Sequence, residues 1–444
     1  MPLSSLPTAV DEICGLELAR VPASVVARTG HVIADTLAVV AAGARSPQVR
    51  ALAAADEADG LLSPAARPGP VHSASVLTEP RRRAHPADAA FLNATAGTFL
   101  ELDEGTRPSG HPAMHVVPAA LAVAEARGAS GAQLLRAVLA GYEISARLFR
   151  AVRLRPGAHP HGNLGAVGAA VAVALLEDTD PAAAAVIAAT TPLLSTWQAC
   201  YDGATARNTY TGHGARSGVR AAGLARAGFT GSAGALEAAF GGIAGEPADT
   251  DALTAPLNYS ELAITRNYFK VHSACALSHS AIEAALSLSP LRPDQVHQVR
   301  VDTVAVNLKI DTQPAQNALS TRFSLPYAVA AALTLGRSDP DAFTYRAEVA
   351  SLASRVEVHV DDALDAQWPT AAPARVTVLT DAENRTAEVR DPRGHHTRPL
   401  SAPELREKFL GLLSNQARAP ELWERLNRLS SVADCAELFR EVFP

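Results

Sequence analysis

Apolar residues recur with a helical period through most of the first 245 positions of the chain. Residues 8–60 carry such stripes, and the same pattern dominates again over residues 86–242. A stretch rich in proline, serine and arginine at 61–83 predicts a connector between them. Glycine, proline and polar residues also interrupt the pattern at three places, which predicts loops. These loops are expected at residues 105–112, 155–162 and 201–214.

Alternating apolar and polar positions replace the helical period beyond residue 270, which predicts half-buried strands. The predicted strands cover residues 296–306, 355–361, 374–380 and 386–390. Helical patterns return between them at 278–288 and 323–335, and once more from Pro403 onward.

The order of these patterns predicts an α+β protein with two domains. The first is a large all-α helical domain over residues 1–267, completed by C-terminal helices over residues 400–444. The second is a smaller α+β domain over residues 268–399. With 444 residues, 48% of them apolar, the chain can bury a large core, and its abundant alanines favour closely packed helices.

Charge and cysteine content exclude several classes of function. The net charge of −6 includes no basic stripe, so no nucleic-acid partner is expected. Four cysteines lie far apart without a CxxC pair, which argues against a zinc ribbon or a cysteine-held iron–sulfur cluster. The N-terminus has no signal-peptide pattern, and no apolar run of membrane-spanning length is free of glycine, proline and charge. We therefore expect a cytoplasmic protein without a membrane partner.

Lysine is rare among the basic residues of this chain. Of the 39 lysines and arginines, only Lys270, Lys309 and Lys408 are lysines. We therefore expect most arginines to have no specific functional role, whereas each lysine is a candidate for one.

The first candidate site is an acidic loop between two apolar helical segments. Glu101, Asp103 and Glu104 lie within four residues, and a turn rich in glycine and proline leads from them to His111. Carboxylates and a histidine between buried helices are costly to place unless they are solvated, paired or used in chemistry. The pattern therefore predicts functional side chains in this loop, with Glu101 and Asp103 able to orient a histidine.

Two further loops carry residue types that can bind anions or move protons. The sequence Gly157-Ala-His159-Pro-His161 stands where a helix should begin, and free amides at a helix start attract anions. A surface turn with two solvated histidines is the alternative. Arg207 follows an apolar helix and can hold a carboxylate through two hydrogen bonds, unless it simply faces solvent.

The junction between the two predicted domains carries a third candidate cluster. Lys270, His272 and His279 could face a cleft between the domains, where ligand sites often lie. His279 is equally compatible with a core histidine. Tyr327 opens an apolar helix, and a buried aromatic with a bonded hydroxyl is the alternative there.

Three other patterns do not support a function. The glycines of Gly162–Gly168 lack a preceding strand, and their spacing suits helix packing rather than dinucleotide binding. His111, His115 and Asp103 could share a metal, but the HExxH and EF-hand patterns are absent and no metal is expected. No GxSxG elbow supports a serine hydrolase.

Taken together and in this order, the motifs resemble the MmgE/PrpD family of 2-methylcitrate dehydratases and cis-aconitate decarboxylases. The resemblance spans about residues 20–410. Its motifs are the loop from Glu101 to His111 with Val117-Pro-Ala-Ala, Gly157-Ala-His-Pro with Leu164-Gly-Ala-Val-Gly, Lys270-Val-His-Ser-Ala-Cys and Phe323-Ser-Leu-Pro-Tyr.

The resemblance implies a helical domain built from both chain ends, a smaller α+β lid domain and a homodimer. It also implies a lyase for citrate-like di- or tricarboxylates that needs no metal or organic cofactor. The residues then expected to carry catalysis are His111, His159, Lys270, Tyr327, Glu101 and Asp103. Those expected to bind the substrate are Arg207, His161, Thr106 and His272.

Three positions depart from the family's pattern. Aligned through His111, the family's first loop aspartate is Glu101 here, its loop threonine falls at Gly105 beside Thr106, and one of its lysines is Arg207. Arginine can hold a carboxylate but does not give up its proton. We expect dehydration of a 2-hydroxy polycarboxylate. The alternative is decarboxylation or epimerisation of a related acid, and the second alternative is a catalytically silent binding protein of the same fold.

Overall fold

A computed structural model describes residues 3–64, 73–312 and 314–440. Helices dominate the chain before residue 270, as the apolar period predicts. They are α1 Leu6–Cys14, α2 Ala23–Gly43, α3 Pro47–Ala58, α4 Pro86–Gly97, α5 Pro112–Arg127, α6 Gly131–Ala151, α7 Leu164–Leu176, α8 Pro181–Thr190, α9 Gln198–Tyr201, α10 Thr209–Arg226 and α11 Ala235–Ala238. Two small antiparallel sheets accompany them. One consists of β1 Ser63–Pro64, β3 Arg82–Ala84 and β2 Ala74–Val76 in that order, and the other of β4 Val152–Leu154 and β5 Gly245–Pro247.

Helix α7 forms the centre of this helical body. Every residue from Leu164 to Ala174 is buried, and α5, α6, α8 and α10 pack around the helix. A helix that is apolar on all sides belongs in the interior of a protein. Gly168 faces the backbone of Gly141 on α6, where a β-carbon would collide, so α6 and α7 approach closely. This contact agrees with the packing role predicted from the glycine spacing.

Helix α2, near the N-terminus, packs against the C-terminal helices. The C-terminal helices α17 Ala402–Leu412 and α18 Ala419–Asn427 pack against it, and α19 Glu437–Arg440 follows them. Among the described residues, α2 is the one helix long and apolar enough to cross a membrane. Most of it is buried against neighbouring helices, which is the environment of a core helix.

The second region, beyond residue 270, is built on a four-stranded sheet in the order β7-β6-β8-β9. Its strands are β6 Val296–Thr303, β7 Val356–Val360, β8 Ala374–Thr380 and β9 Asn384–Val389, and its helices are α12 His279–Leu288, α13 Ala318–Arg322, α14 Leu325–Leu335, α15 Ala347–Ala353 and α16 Asp362–Asp365. Strands β6 and β7 are parallel, and the other pairs are antiparallel. Because α12 and α14 cover the sheet, alternate residues of β8 are buried. The predicted α+β fold class is confirmed.

One segment of the helical body contributes to the core of the second region. Trp197 and Cys200 are buried in the apolar cluster that α12, α14 and the sheet form. The ring of Trp197 lies edge-on to that of Phe323, with 6.2 Å between the centroids. Residues 197–201 therefore hold the two regions together beside the loops that carry the candidate residues.

Two predicted loops contain regular structure. The loop expected at 201–214 ends early, because α10 begins at Thr209 and includes both Gly212 and Gly214. A β-carbon on either glycine would meet the backbone of Phe91 or the ring of His115, so these glycines allow close helix packing. The connector expected at 61–83 contains strands β1 and β2 and the start of β3, while its residues 65–72 lie outside the described part of the chain.

Candidate active site

The acidic loop between α4 and α5 is tied to the segment that leads to Lys270. The amide of Gly105 donates to the carbonyl of Tyr268 at 3.1 Å, and the amide of Tyr268 donates back at 2.9 Å. Glu101 has a positive φ of 49°, which a residue with a side chain rarely adopts. Such strain persists where the surrounding contacts determine the conformation, and it is common at functional sites.

Four buried charges meet on this loop and neutralise one another. The ammonium nitrogen of Lys270 lies 2.9 Å from Glu101 Oε2 and 2.9 Å from Asp103 Oδ1. The guanidinium of Arg207, carried by a short 3₁₀ turn before α10, pairs with the other oxygen of Glu101. The four side chains are almost inaccessible to solvent. Two cations and two carboxylates therefore form a cluster without net charge.

Ion pairing shifts the pKa values of Lys270, Asp103 and Arg207. Burial alone would lower the pKa of Lys270, but the carboxylates of Asp103 and Glu101 raise it well above its usual range. Burial alone would raise the pKa of Asp103, but Lys270 and His111 hold it far below its usual range. The pKa of Arg207 is raised by Glu101 against the effect of its burial. Lys270 stays an ammonium, so it can stabilise negative charge but does not act as a base at neutral pH.

Glu104, the third carboxylate of the loop, does not belong to this cluster and bonds to helices α5 and α6 instead. It accepts hydrogen bonds from the hydroxyl of Tyr142 and, at 3.2 Å, from the amide of Ala113. Burial raises the pKa of Glu104 to about 7, although both hydrogen bonds oppose the rise. Sequence reasoning did not assign Glu104 to the site. Its place as the third acid of a buried loop was the available signal.

His111 stands at the start of α5 with one ring nitrogen fixed by the loop. Nδ1 lies 2.7 Å from the carbonyl oxygen of Glu104 and 2.7 Å from Asp103 Oδ2. The carbonyl has the better hydrogen-bond direction, since Asp103 Oδ2 makes no well-directed hydrogen bond among the described residues. Both neighbours are acceptors, so Nδ1 carries the proton. In neutral His111 the lone pair is therefore on Nε2.

His159 has the opposite tautomer. The amide of His161 donates to its Nδ1 at 3.1 Å, which places the proton of the neutral ring on Nε2. Burial, with the nearby charges of Arg207 and His111, lowers the pKa of His159 well below its usual range. Neutral His159 thus offers an N–H, whereas neutral His111 offers a lone pair.

Two further histidines lie behind this pair. His115 accepts from the amide of Gly162 at 2.8 Å and donates through Nδ1 to the carbonyl of His111 at 2.9 Å, and burial lowers its pKa to about 4. The ring of His161 packs edge-on against those of His111 and His159, with centroids 4.5 and 4.6 Å away. Neither ring nitrogen of His161 has a hydrogen-bond partner among the described residues. His161 therefore supports the two rings in front of it.

Asp103, His111 and His161 also place potential metal-ligating atoms within 4.8 Å of one another. The ammonium of Lys270 already contacts Asp103, so a divalent cation would add a like charge beside it. These residues fit an ion-paired cluster better than a metal centre.

A cavity of about 630 Å³ opens above the cluster, between the helical body and the second region. Its volume lies in the range typical of small-molecule sites. Of the residues expected from the sequence, six line it: Glu101, Thr106, His111, His159, Arg207 and Lys270. Asp103 lies beneath Lys270, and His161 lies behind His111. The structure thus brings eight of the ten expected residues together.

The other two expected residues are not among those that line the cavity. The hydroxyl of Tyr327 donates to the carbonyl of Thr344 at 3.0 Å and accepts from the amide of Arg346 at 2.9 Å. Tyr327 is therefore a buried aromatic with a hydrogen-bonded hydroxyl, which was the alternative interpretation to a residue of the site. Nδ1 of His272 contacts the hydroxyl of Ser338 at 2.7 Å. Both side chains are thus engaged within the second region.

Several side chains that line the cavity were not assigned to the site from the sequence, among them Trp197, Tyr268 and Lys309. The ring centroids of Trp197 and His159 lie 4.5 Å apart, and those of Tyr268 and His111 lie 6.3 Å apart. The position of Tyr268, two residues before Lys270, and the rarity of lysine in the chain were the available signals.

Two family models and three known proteins match most of this chain. The family model for the MmgE/PrpD N-terminal domain matches residues 10–247, and that for the MmgE/PrpD C-terminal domain matches residues 272–427. A cis-aconitate decarboxylase-like protein of Aspergillus oryzae is 26% identical, covering 96% of this chain and 95% of that protein. The cis-aconitate decarboxylase of Homo sapiens is 27% identical over 82% of this chain and 81% of its own length. The cis-aconitate decarboxylase of Aspergillus terreus is 24% identical, covering 96% and 95%.

Proposed function

The chain belongs to the MmgE/PrpD family of dehydratase- and decarboxylase-type lyases, and we propose that it is a cofactor-independent dehydratase of a citrate-like 2-hydroxy di- or tricarboxylate. One observation carries this proposal. A charge-neutral cluster of Lys270, Arg207, Glu101 and Asp103 lies beside one histidine with a free lone pair and another with a free N–H. A reaction that moves a proton next to a carboxylate needs both parts.

In the proposed dehydration, Nε2 of His111 removes a proton from the carbon next to a carboxylate. Negative charge then spreads onto that carboxylate, where Lys270 and Arg207 stabilise it. The neighbouring C–O bond breaks, a C=C bond forms, and hydroxide leaves while hydrogen-bonded to Nε2–H of His159. His111 returns its proton to the departing hydroxide, so the reaction yields an unsaturated acid and water without a further proton source.

Decarboxylation of a cis-aconitate-type acid is the second candidate, and the printed names of the three relatives favour it. There a C–C bond breaks, carbon dioxide leaves, and the electron pair left on carbon takes a proton. The need for cations beside a carboxylate and for a histidine proton donor is the same. Epimerisation of a related dicarboxylate uses the same proton removal and remains a further alternative.

A screen of citrate, 2-methylcitrate and cis-aconitate in deuterated water, followed by NMR, tests the proposal. Conversion of the hydroxyl-bearing carbon into an alkene carbon supports a dehydratase, and release of carbon dioxide supports a decarboxylase. Deuterium incorporation alone supports an epimerase. Tight binding of a polycarboxylate with neither exchange nor product would identify the silent binding protein and overturn the proposal of catalysis.

The proposal includes a cytoplasmic homodimer whose ligand is a small polycarboxylate, with neither nucleic acid nor membrane as a partner. The evenly mixed charges of the chain argue against a nucleic-acid partner, and the burial of α2 argues against a membrane partner. The alanine-rich apolar helices between residues 86 and 245 motivate the homodimer.

A further inference from the structure

We propose that Lys309 binds a second carboxylate of the substrate, far from the reacting carbon, and thereby selects tricarboxylates over dicarboxylates. This inference rests on the proposed function, because it concerns the same cavity. It begins from the charges that line the cavity.

Six of the seven lysine and arginine side chains lining the cavity already face a carboxylate. Lys270 and Arg207 belong to the neutral cluster at its floor. The others are ion-paired with acids of this chain: Arg107 with Asp391, Arg150 with Asp249, Arg153 with Glu246 and Arg393 with Glu404. Each of these six cations therefore already has a counter-ion within the chain.

Lys309 is the exception among the cavity-lining cations. No carboxylate within the described ranges 3–64, 73–312 and 314–440 lies within ion-pairing distance of its ammonium. The side chain is half-buried, and this burial lowers its pKa. A half-buried charge without a counter-ion is unfavourable, and an anionic ligand in the cavity would relieve that cost.

The position of Lys309 suits a second carboxylate rather than the reacting one. It lies on the 3₁₀ turn Ala305–Ile310, which follows β6 of the second region. Its ammonium is 5.9 Å from the ring centroid of Trp197, and the ring of His159 contacts the same indole at a centroid distance of 4.5 Å. Lys309 and His159 therefore border the same indole, so a ligand that lies along it can contact both.

The test compares two unreactive acids that differ by one carboxylate, tricarballylate and methylsuccinate. Calorimetry should show that the wild-type protein binds tricarballylate more tightly. In Lys309→Met, tricarballylate affinity should fall about fivefold and methylsuccinate affinity should stay within about twofold, since one partly exposed ion pair is lost. Lys309→Arg should keep the preference. Arg153→Met, which removes an ion-paired, exposed cation of the same cavity, is the matched control and should keep it too.

Equal affinities of Lys309→Met and wild type for tricarballylate would overturn the inference. So would an equal loss for both acids, because a general or structural effect of the charge would explain it. If the wild type binds neither acid, the inference and the proposed function fail together. If the predicted selectivity is found but the substrate screen gives no exchange and no product, the proposal of catalysis fails alone.

Discussion

The ring of Tyr268 occupies the space into which a side chain on Gly105 would project. A β-carbon at Gly105 would stand 2.5 Å from Tyr268 Cζ, well inside van der Waals contact. The two residues also exchange backbone hydrogen bonds, so neither can easily move away. Glycine at this position is therefore the condition for an aromatic side chain beside His111.

Gly105→Ala should displace Tyr268 and reduce both stability and turnover. Overpacking of this kind costs roughly 1–3 kcal/mol of unfolding free energy, which a denaturant titration can measure. Gly411→Ala is the control, because a β-carbon there meets nothing within 4 Å and alanine favours helix α17. A Gly105→Ala protein with wild-type stability would contradict the close contact. In a Tyr268→Ala background, where the ring is absent, Gly105→Ala should cost little further stability.

His111→Ala and His159→Ala should each lower turnover at least about 100-fold, the usual scale for loss of a general acid or base. Steady-state kinetics on the substrate found in the screen would measure this. Circular dichroism should show an intact fold, because both rings border a cavity. His297→Ala, which changes an exposed histidine paired with Asp381, is the control. Near-normal turnover of either active-site variant would remove that histidine from the mechanism.

Glu104→Gln should stabilise the protein more at pH 8 than at pH 5. The folded pKa of about 7 lies above the ordinary glutamate pKa of 4.5, so the folded state binds the proton more tightly. Wild-type stability from this group is therefore lost as the pH rises from about 4.5 through 7, by about 1.4 kcal/mol per unit of pKa shift. Glutamine mimics the protonated acid and has no such loss.

Denaturant titrations of both proteins between pH 5 and 8 measure that difference. The depressed pKa of His115, about 4, acts in the opposite direction, because its stabilising effect is lost as the pH falls below about 6.5. His115 is present in both proteins, so its effect cancels in the comparison. A stability difference that does not change with pH would show that Glu104 does not titrate in this range.

Glu101→Gln should tighten the binding of tricarballylate while lowering stability. The substitution gives the cluster a net positive charge, which attracts anions, but leaves Arg207 without a buried counter-charge. Calorimetry and a thermal melt measure the two effects. Glu388→Gln removes a partly exposed partner of Arg375, which is not among the residues that line the cavity, and should change neither. Weaker anion binding by Glu101→Gln would mean that this carboxylate orients the ligand rather than balancing charge.

The protein should be a homodimer at micromolar concentration by light scattering. The alanine-rich helices between residues 86 and 245 motivate this expectation, and Phe229 and Ile243 are large apolar side chains exposed on that region. Phe229→Glu with Ile243→Glu should weaken the assembly. Val360→Glu, at an exposed apolar position in the second region, should not. A wild-type monomer would contradict the expectation.

The periodic parts of the fold were predictable from the sequence, and the aperiodic parts were not. Apolar and polar residues alternate in β6 and β8 because helices cover one face of their sheet. The sequence of these strands therefore indicates which side chains are buried. Strands β1 to β5 are two or three residues long, too short to show a period. Gly212 and Gly214 read as loop residues, although they lie in α10, because close packing and turns both favour glycine.

The site was predictable where a loop with unusual chemistry leads into a helix. His111, His159, Arg207 and Lys270 were identified in this way, and they do line one cavity. The sequence could not decide whether Tyr327 lines the cavity, because an apolar helix has the same pattern whether its tyrosine faces a cavity or a neighbouring backbone. The ion pair between Arg207 and Glu101 could not be predicted from the sequence either, since the two residues are distant along the chain.

The burial of Trp197 within the second region means that the two regions are not interchangeable modules. A fragment cut out at residues 268–399 would lack an indole from its own core and expose the apolar surface that the indole covers. A chimaera between two relatives, joined near residue 268, would combine a tryptophan from one parent with a cavity wall from the other. Substitutions that reshape the wall around Phe323 are therefore constrained by a position far upstream, so specificity would have to evolve through paired changes.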